Sequence, residues 1–167
     1  ERYQTVYANS KGAIAAPTAG LHFTDEIFKI LKEKKVEIAE ITLHVGWGTF
    51  KPIVADNIRQ HKMLSEKYIL DEKNAEKINA ALSKNKRIIA VGTTTVRSLE
   101  TIANIKGRYD NNGKLASIKS CLGQTDIFVY PGYNFKIVNS MITNLHLPNS
   151  TPLIMASAFA GRNFILS

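Results

Sequence analysis

The chain has 167 residues, 44% of them hydrophobic and 22% charged, which excludes fibrous, low-complexity and disordered classes and leaves room for one domain with a real core. No run approaches the roughly 18 apolar residues of a membrane span and no secretory leader pattern is visible, so a cytoplasmic location without a membrane partner is expected. A single cysteine, Cys121, rules out an internal disulfide and a multi-thiolate metal site, while 22 basic against 14 acidic residues (formal net charge +8) favour a polyanion such as RNA, with a merely lysine-rich surface as the alternative.

Gly12–Ala16 predicts a short buried strand leading into the loop Pro17–Thr24. Thr24 then caps a helix with Asp25 and Glu26 in its first turn and Ile27, Ile30 and Leu31 as its apolar stripe. Val36–Val45 predicts a strand with Ile41, Leu43 and Val45 on one face and Thr42 and His44 on the other, broken by the Gly46–Pro52 run. Glu66–Leu70 reads as a strand, and Asp71 opens a helix with Ala75, Ile78 and Leu82 at core spacing. Arg87–Val91 is a continuous apolar strand of the parallel, doubly covered type, running through Gly92 into a helix over about Thr94–Ala103. Tyr109–Lys114 is a turn, Asp126–Tyr130 a strand, and Phe135–Thr143 its hairpin partner. Ser150 or Thr151 caps a last helix with Pro152 at its first position. This alternation predicts a single layered α/β domain over residues 1–167 with a mostly parallel sheet flanked by helices, the last two strands being antiparallel.

In such a sheet ligands gather where strands end and helices begin. Four stretches are expected there: Pro17–Thr24, His44–Phe50, Gly92–Arg97 and Asn144–Pro152. Of the 4 histidines, His22, His44 and His146 fall in or beside these stretches, and imidazole is the side chain that both gives and takes a proton near neutral pH. Each also has a plain structural role open to it. The spacing carries no metal signature. Gly92, Thr93, Thr94, Thr95 and Arg97 read as an anion site for a carboxylate or phosphate, without the GK[ST] of a phosphate loop or the GxGxxG of a dinucleotide fold. Trp47, Phe50 and Phe23 suit stacking or packing, and Glu66 and Glu100 are possible proton acceptors. An i,i+3 ion pair with Arg97 competes for Glu100.

The stretches "RYQTVYA", "GAIAAPTAGLHFT", "ITLHVGWGTFKP", "RIIAVGTTTVRSLE", "DIFVYPGY" and "ITNLHLPNST…SAFAG", from Arg2 to Gly161, closely resemble the S-adenosylmethionine:tRNA ribosyltransferase-isomerases of queuosine biosynthesis. The resemblance implies transfer and isomerisation of the ribosyl part of S-adenosylmethionine onto 7-aminomethyl-7-deazaguanine in tRNA. Epoxyqueuosine-tRNA forms, adenine and methionine leave, and no resident cofactor or metal takes part. It implies His22, His44 and His146 around the reacting ribosyl group. Thr93, Thr94, Thr95 and Arg97 are expected on the methionine or a phosphate; Gly46, Gly48, Thr49 and Phe50 would wall the nucleoside pocket, with Thr18, Gly20, Gly92 and Asn144 also binding substrate. Leu64 stands where the family has a second histidine, Leu145 where it has phenylalanine, and Pro152 where it has an aliphatic residue. The family's protein also has an amino-terminal segment, an inserted β-barrel domain and residues beyond Ser167. The chain is therefore expected to be a monomeric major part of the catalytic domain and weakly active alone. The alternative is an inactive or tRNA-binding remnant.

Overall fold

The computed structural model describes residues 3–10, 12, 13, 15–46, 53 and 57–167. Its first regular element is a 3-10 turn, Thr18–His22, followed by α1 (Asp25–Glu33), β1 (Thr42–His44), β2 (Glu66–Leu70) and α2 (Glu72–Ser83). Then come β3 (Ile89–Val91), α3 (Thr93–Lys106), β4 (Arg108–Tyr109), β5 (Leu115–Ser117), β6 (Cys121–Thr125) and β7 (Ser140–Ile142), and the chain ends in α4 (Thr151–Ala160) and α5 (Arg162–Leu166).

Local chemistry explains the helix starts. The Thr24 hydroxyl accepts from the Ile27 amide, Asp71 from Asn74, and Ser150 from Leu153, so three helices open on side-chain caps. α3 differs: its cap is Gly92 at φ +91, with no side-chain hydrogen bond, a left-handed turn that glycine makes without Cβ strain.

The strands correct the expected sheet. β1, β2 and β6 form an antiparallel sheet in the order β1-β2-β6, with Ile69 opposite both Thr42 and Leu122. β4 and β5 form an antiparallel hairpin turned by the Asp110 carboxylate, which accepts from the Asn112 and Lys114 amides. Among the described residues only β3 and β7 pair in parallel, Ile89 with Ser140 and Val91 with Ile142. A mostly parallel sheet is therefore absent among the described residues: strand alternation resembled a βαβ pattern, yet two of the three sheets pair antiparallel. Residues 12–16 form no strand where described, and the strand expected from Val36 is confined to Thr42–His44. Asp126–Tyr130 forms no strand; its expected partner segment instead supplies β7 to β3, and the strand lies just before it, at Cys121–Thr125.

One apolar cluster joins these pieces. Tyr68 and Leu70 of β2, Ala75 and Ile78 of α2, Val96, Leu99, Ile102 and Ala103 of α3, and Met155 of α4 are buried together with Val129, Ile137 and Val138 from the segments between β6 and β7. β2 alternates buried and exposed along its length, as period-two patterning requires. α1 behaves otherwise. It buries no residue, its Ile27 and Ile30 are exposed, and it is held through Phe28, whose ring lies 5.7 Å from Tyr7 and 5.8 Å from Phe23.

Candidate functional site

The parallel pair sets up the site. Its ladder continues one step beyond the strands, with the Gly92 amide donating to the Ile142 carbonyl at 2.9 Å. β3 therefore turns into α3 beside the point where β7 runs into the loop carrying His146. The amides of a helix's first turn have no intrahelical acceptor, and here no cap side chain takes their place. Around them lies an open cleft of about 450 Å³, solvent at its mouth included. Ala16, Pro17, Thr18 and Ala19 form one wall, Leu43 and Val45 another, Gly92, Thr93, Thr94 and Thr95 the floor, and Thr143 and His146 the remaining side.

His146 is half-buried, and its Nε2 sits 2.7 Å from the Thr143 hydroxyl. Burial pulls its pKa below the ordinary 6.5, so the ring is neutral at physiological pH and has both a donor and an acceptor nitrogen. The Thr95 hydroxyl donates to the Val91 carbonyl at 2.8 Å and retains acceptor capacity. No Asp, Glu, Lys or Arg lines this cleft among the described residues, so what it offers is dipoles, hydroxyls and a neutral imidazole.

The residues singled out in the sequence divide. Thr18, Gly92, Thr93, Thr94, Thr95 and His146 line the cleft. Asn144 lies in the same loop as His146, and Gly46 follows β1. Gly20 is buried behind the wall, against the Tyr7 ring and the Thr5 methyl, too close for a Cβ. His44 is on the opposite face of β1 from Leu43 and Val45, and a Cβ on Gly12 would stand 2.9 Å from its Nδ1. His22 ends the 3-10 turn and is exposed; neither it nor His44 lines the cleft. The expected gathering of three imidazoles therefore reduces to one. Trp47, Gly48, Thr49 and Phe50 lie outside the described residues.

Arg97 requires a correction. Its guanidinium is buried and reaches Glu66 Oε2 at 2.5 Å, while its other nitrogens donate to the carbonyls of Ile127, Leu64 and Thr125. Burial lowers its pKa, and Glu66 and Asp126 oppose that shift. Such a cation is spent internally and presents no free charge to an anion. It borders a second cavity of about 280 Å³ that shares Thr93 and Thr94 with the cleft and adds Met63, Phe128, Thr151 and Met155. Glu100, expected to pair with Arg97, instead accepts from the amides of Lys136, Ile137 and Val138 and from the Tyr133 hydroxyl. Both glutamates are structural anchors, not exposed proton acceptors. Sequence reading missed Thr143, whose place three residues before His146 is the signal, and Leu43 and Val45, noted only as a strand face.

Fold and site together define a mixed helix-and-strand protein with a cleft that, among the described residues, no charged side chain lines. All of residues 1–167 match the profile of the queuosine biosynthesis protein family, and the chain belongs to that family. It is similar to S-adenosylmethionine:tRNA ribosyltransferase-isomerase of Natranaerobius thermophilus, 54% identical over 167 residues, which are 100% of this chain and 46% of the relative. The enzyme of the same description from Carboxydothermus hydrogenoformans is 52% identical with the same coverage. The solved structure of S-adenosylmethionine tRNA ribosyltransferase from Thermotoga maritima superposes with a TM-score of 0.66 at 38% identity, covering 89% of this chain and 43% of the other. The chain thus spans about half the length of the curated relatives it matches.

Proposed function

We propose that the chain carries part of the active centre of a ribosyl transfer from S-adenosylmethionine to 7-aminomethyl-7-deazaguanine in tRNA, and that the cleft at the start of α3 holds the S-adenosylmethionine. The observation that carries the reading is the meeting, at one cleft without charged side chains among the described residues, of a helix start rich in hydroxyls and lacking a side-chain cap with a half-buried neutral imidazole, in a chain of this family. The amides of the first α3 turn and the hydroxyls of Thr93 and Thr94 suit the methionine carboxylate, which a helix amino-terminus stabilises. The sulfonium acidifies the neighbouring C5′ protons, and the leaving adenine needs a proton. A neutral imidazole serves either step. His146 is the residue of this cleft able to do so, held in orientation by Thr143. No resident cofactor is needed, and tRNA accounts for the net charge of +8.

Calorimetric titration of S-adenosylmethionine into the chain tests the reading. Thr94 is 7% exposed and borders both cavities, so Thr94→Val removes a hydroxyl at nearly constant volume. Binding should weaken about tenfold, the worth of one lost hydrogen bond to a charged group. A chain that does not bind S-adenosylmethionine, or a variant that binds it equally well, refutes the placement.

A further inference from the structure

The loop between β7 and α4 carries two leucines in a place where folding gives them nothing to pack on. Leu145 is 102% exposed and Leu147 is 80% exposed, and they flank His146 on either side. Singly exposed leucines are ordinary; two that bracket the imidazole of a ligand cleft are not explained by surface statistics. Nor is this a trailing end. On one side the Thr143 hydroxyl meets His146 Nε2 at 2.7 Å, and on the other the Ser150 hydroxyl donates to the Leu147 carbonyl at 2.6 Å while accepting from the Leu153 amide. The backbone between is pinned at both ends, so the leucines are presented outward from a built loop.

We propose that Leu145 and Leu147 are an apolar wedge that enters an RNA loop and fills the stack left by a base drawn into the His146 cleft. The inference rests on the function proposed above and adds the element that would make it possible. Chemistry on a base inside a polynucleotide requires that base to leave its stack, and apolar side chains inserted at the vacated step offset part of the unstacking cost. The two wedge residues are the immediate chain neighbours of His146, the only titratable group of the cleft among the described residues, so insertion and base placement occur at one point. The partner's charge agrees. The chain carries +8, and the buried carboxylates Glu66 and Glu100 leave the solvent-facing balance no less basic. A polyanion is drawn to such a surface, whereas a second copy of the chain is repelled.

The test uses the chain and an RNA hairpin with 2-aminopurine, whose fluorescence rises on unstacking, next to the target position of its loop. The wild type should bind and raise the fluorescence. The double variant Leu145→Ser, Leu147→Ser should bind about tenfold more weakly without the rise. Its melting temperature should stay within about 2 °C, as expected for exposed positions. Its S-adenosylmethionine affinity should be unchanged, and Leu145→Met should retain the fluorescence rise. A double variant that binds and unstacks like the wild type overturns the wedge and leaves the proposed function standing. A variant that changes the oligomeric state or the melting temperature of the free protein also overturns it, because the leucines then cover protein. A wild type that ignores the hairpin sinks the functional reading, and the wedge with it.

Discussion

Removing one partner of the Arg97–Glu66 pair should cost the fold more than any surface substitution, with little direct effect on ligand charge recognition. The side chains are 4% and 1% exposed, and Nη1 of the arginine lies 2.5 Å from Glu66 Oε2. Breaking a buried pair from one side costs about 3–5 kcal/mol because the other charge stays behind in a poorly solvated site. Glu66→Gln belongs at the low end: the carbonyls of Leu64, Thr125 and Ile127 still accept from the guanidinium, and the amide oxygen replaces one acceptor. About 3 kcal/mol lowers the melting temperature by about 6–12 °C at this chain length. Arg97→Met belongs at the high end, since it takes a donor from the carboxylate and from three carbonyls at once. The two changes should be non-additive by more than about 1 kcal/mol in a double-mutant cycle followed by urea unfolding. If Arg97→Met melts within about 2 °C of wild type yet loses S-adenosylmethionine binding, the guanidinium belongs to the ligand and the structural assignment is wrong.

His146→Ala should lower turnover by about 10²–10⁴-fold, the usual worth of general acid–base catalysis, with the melting temperature almost unchanged. Because burial depresses the His146 pKa, its neutral form is favoured by folding: the contribution to stability is present above 6.5 and is lost as pH falls through the lower folded value. Wild type should therefore lose stability relative to His146→Gln in that acid window; parallel unfolding curves across it would show a solvent-exposed ring. Glu100→Ala should cost about 3 kcal/mol or more in urea unfolding, because the amides of Lys136, Ile137 and Val138 lose their acceptor inside the core. A loss below about 1 kcal/mol would mean that water replaces the carboxylate.

Much of the local structure was legible from residues close in sequence. Thr24, Asp71 and Ser150 cap helices through contacts three residues away, and the alternation in Glu66–Leu70 fixes which side chains of β2 are buried. The pairing of strands was not legible. Nothing within Ile89–Val91 states that its neighbour begins at Ser140, and an apolar triplet fits a parallel or an antiparallel ladder equally well. The charged residues misled for the same reason. Arg97 and Glu100 stand at helical ion-pair spacing, yet each finds partners 28 to 38 residues away whose burial rewards full hydrogen bonding more than an i,i+3 contact does. Of the histidines, only His146 had a local clue, the hydroxyl of Thr143 three residues earlier. His44 stands beside a loop, yet the period-two rule places its side chain opposite those of Leu43 and Val45.

The lack of fixed charge among the described residues that line the cleft has a consequence for the proposed substrate. A free guanidinium about 4 Å from a sulfonium would repel it by about 4 kcal/mol at an effective dielectric constant near 20. Arg97 is paired with Glu66 in the core and does not line the cleft, so that penalty does not arise. What remains for the methionine carboxylate is amide and hydroxyl donors, which hold an anion without opposing the cation nearby. A cleft of this kind also offers the sulfonium no counter-ion, so it should discriminate weakly between S-adenosylmethionine and its thioether analogue S-adenosylhomocysteine. Their dissociation constants, measured by calorimetry on the same preparation, should agree within about tenfold, or 1.4 kcal/mol. A preference above about a hundredfold would require a carboxylate facing the sulfur, and the cleft at the start of α3 would then be the wrong place for the nucleoside.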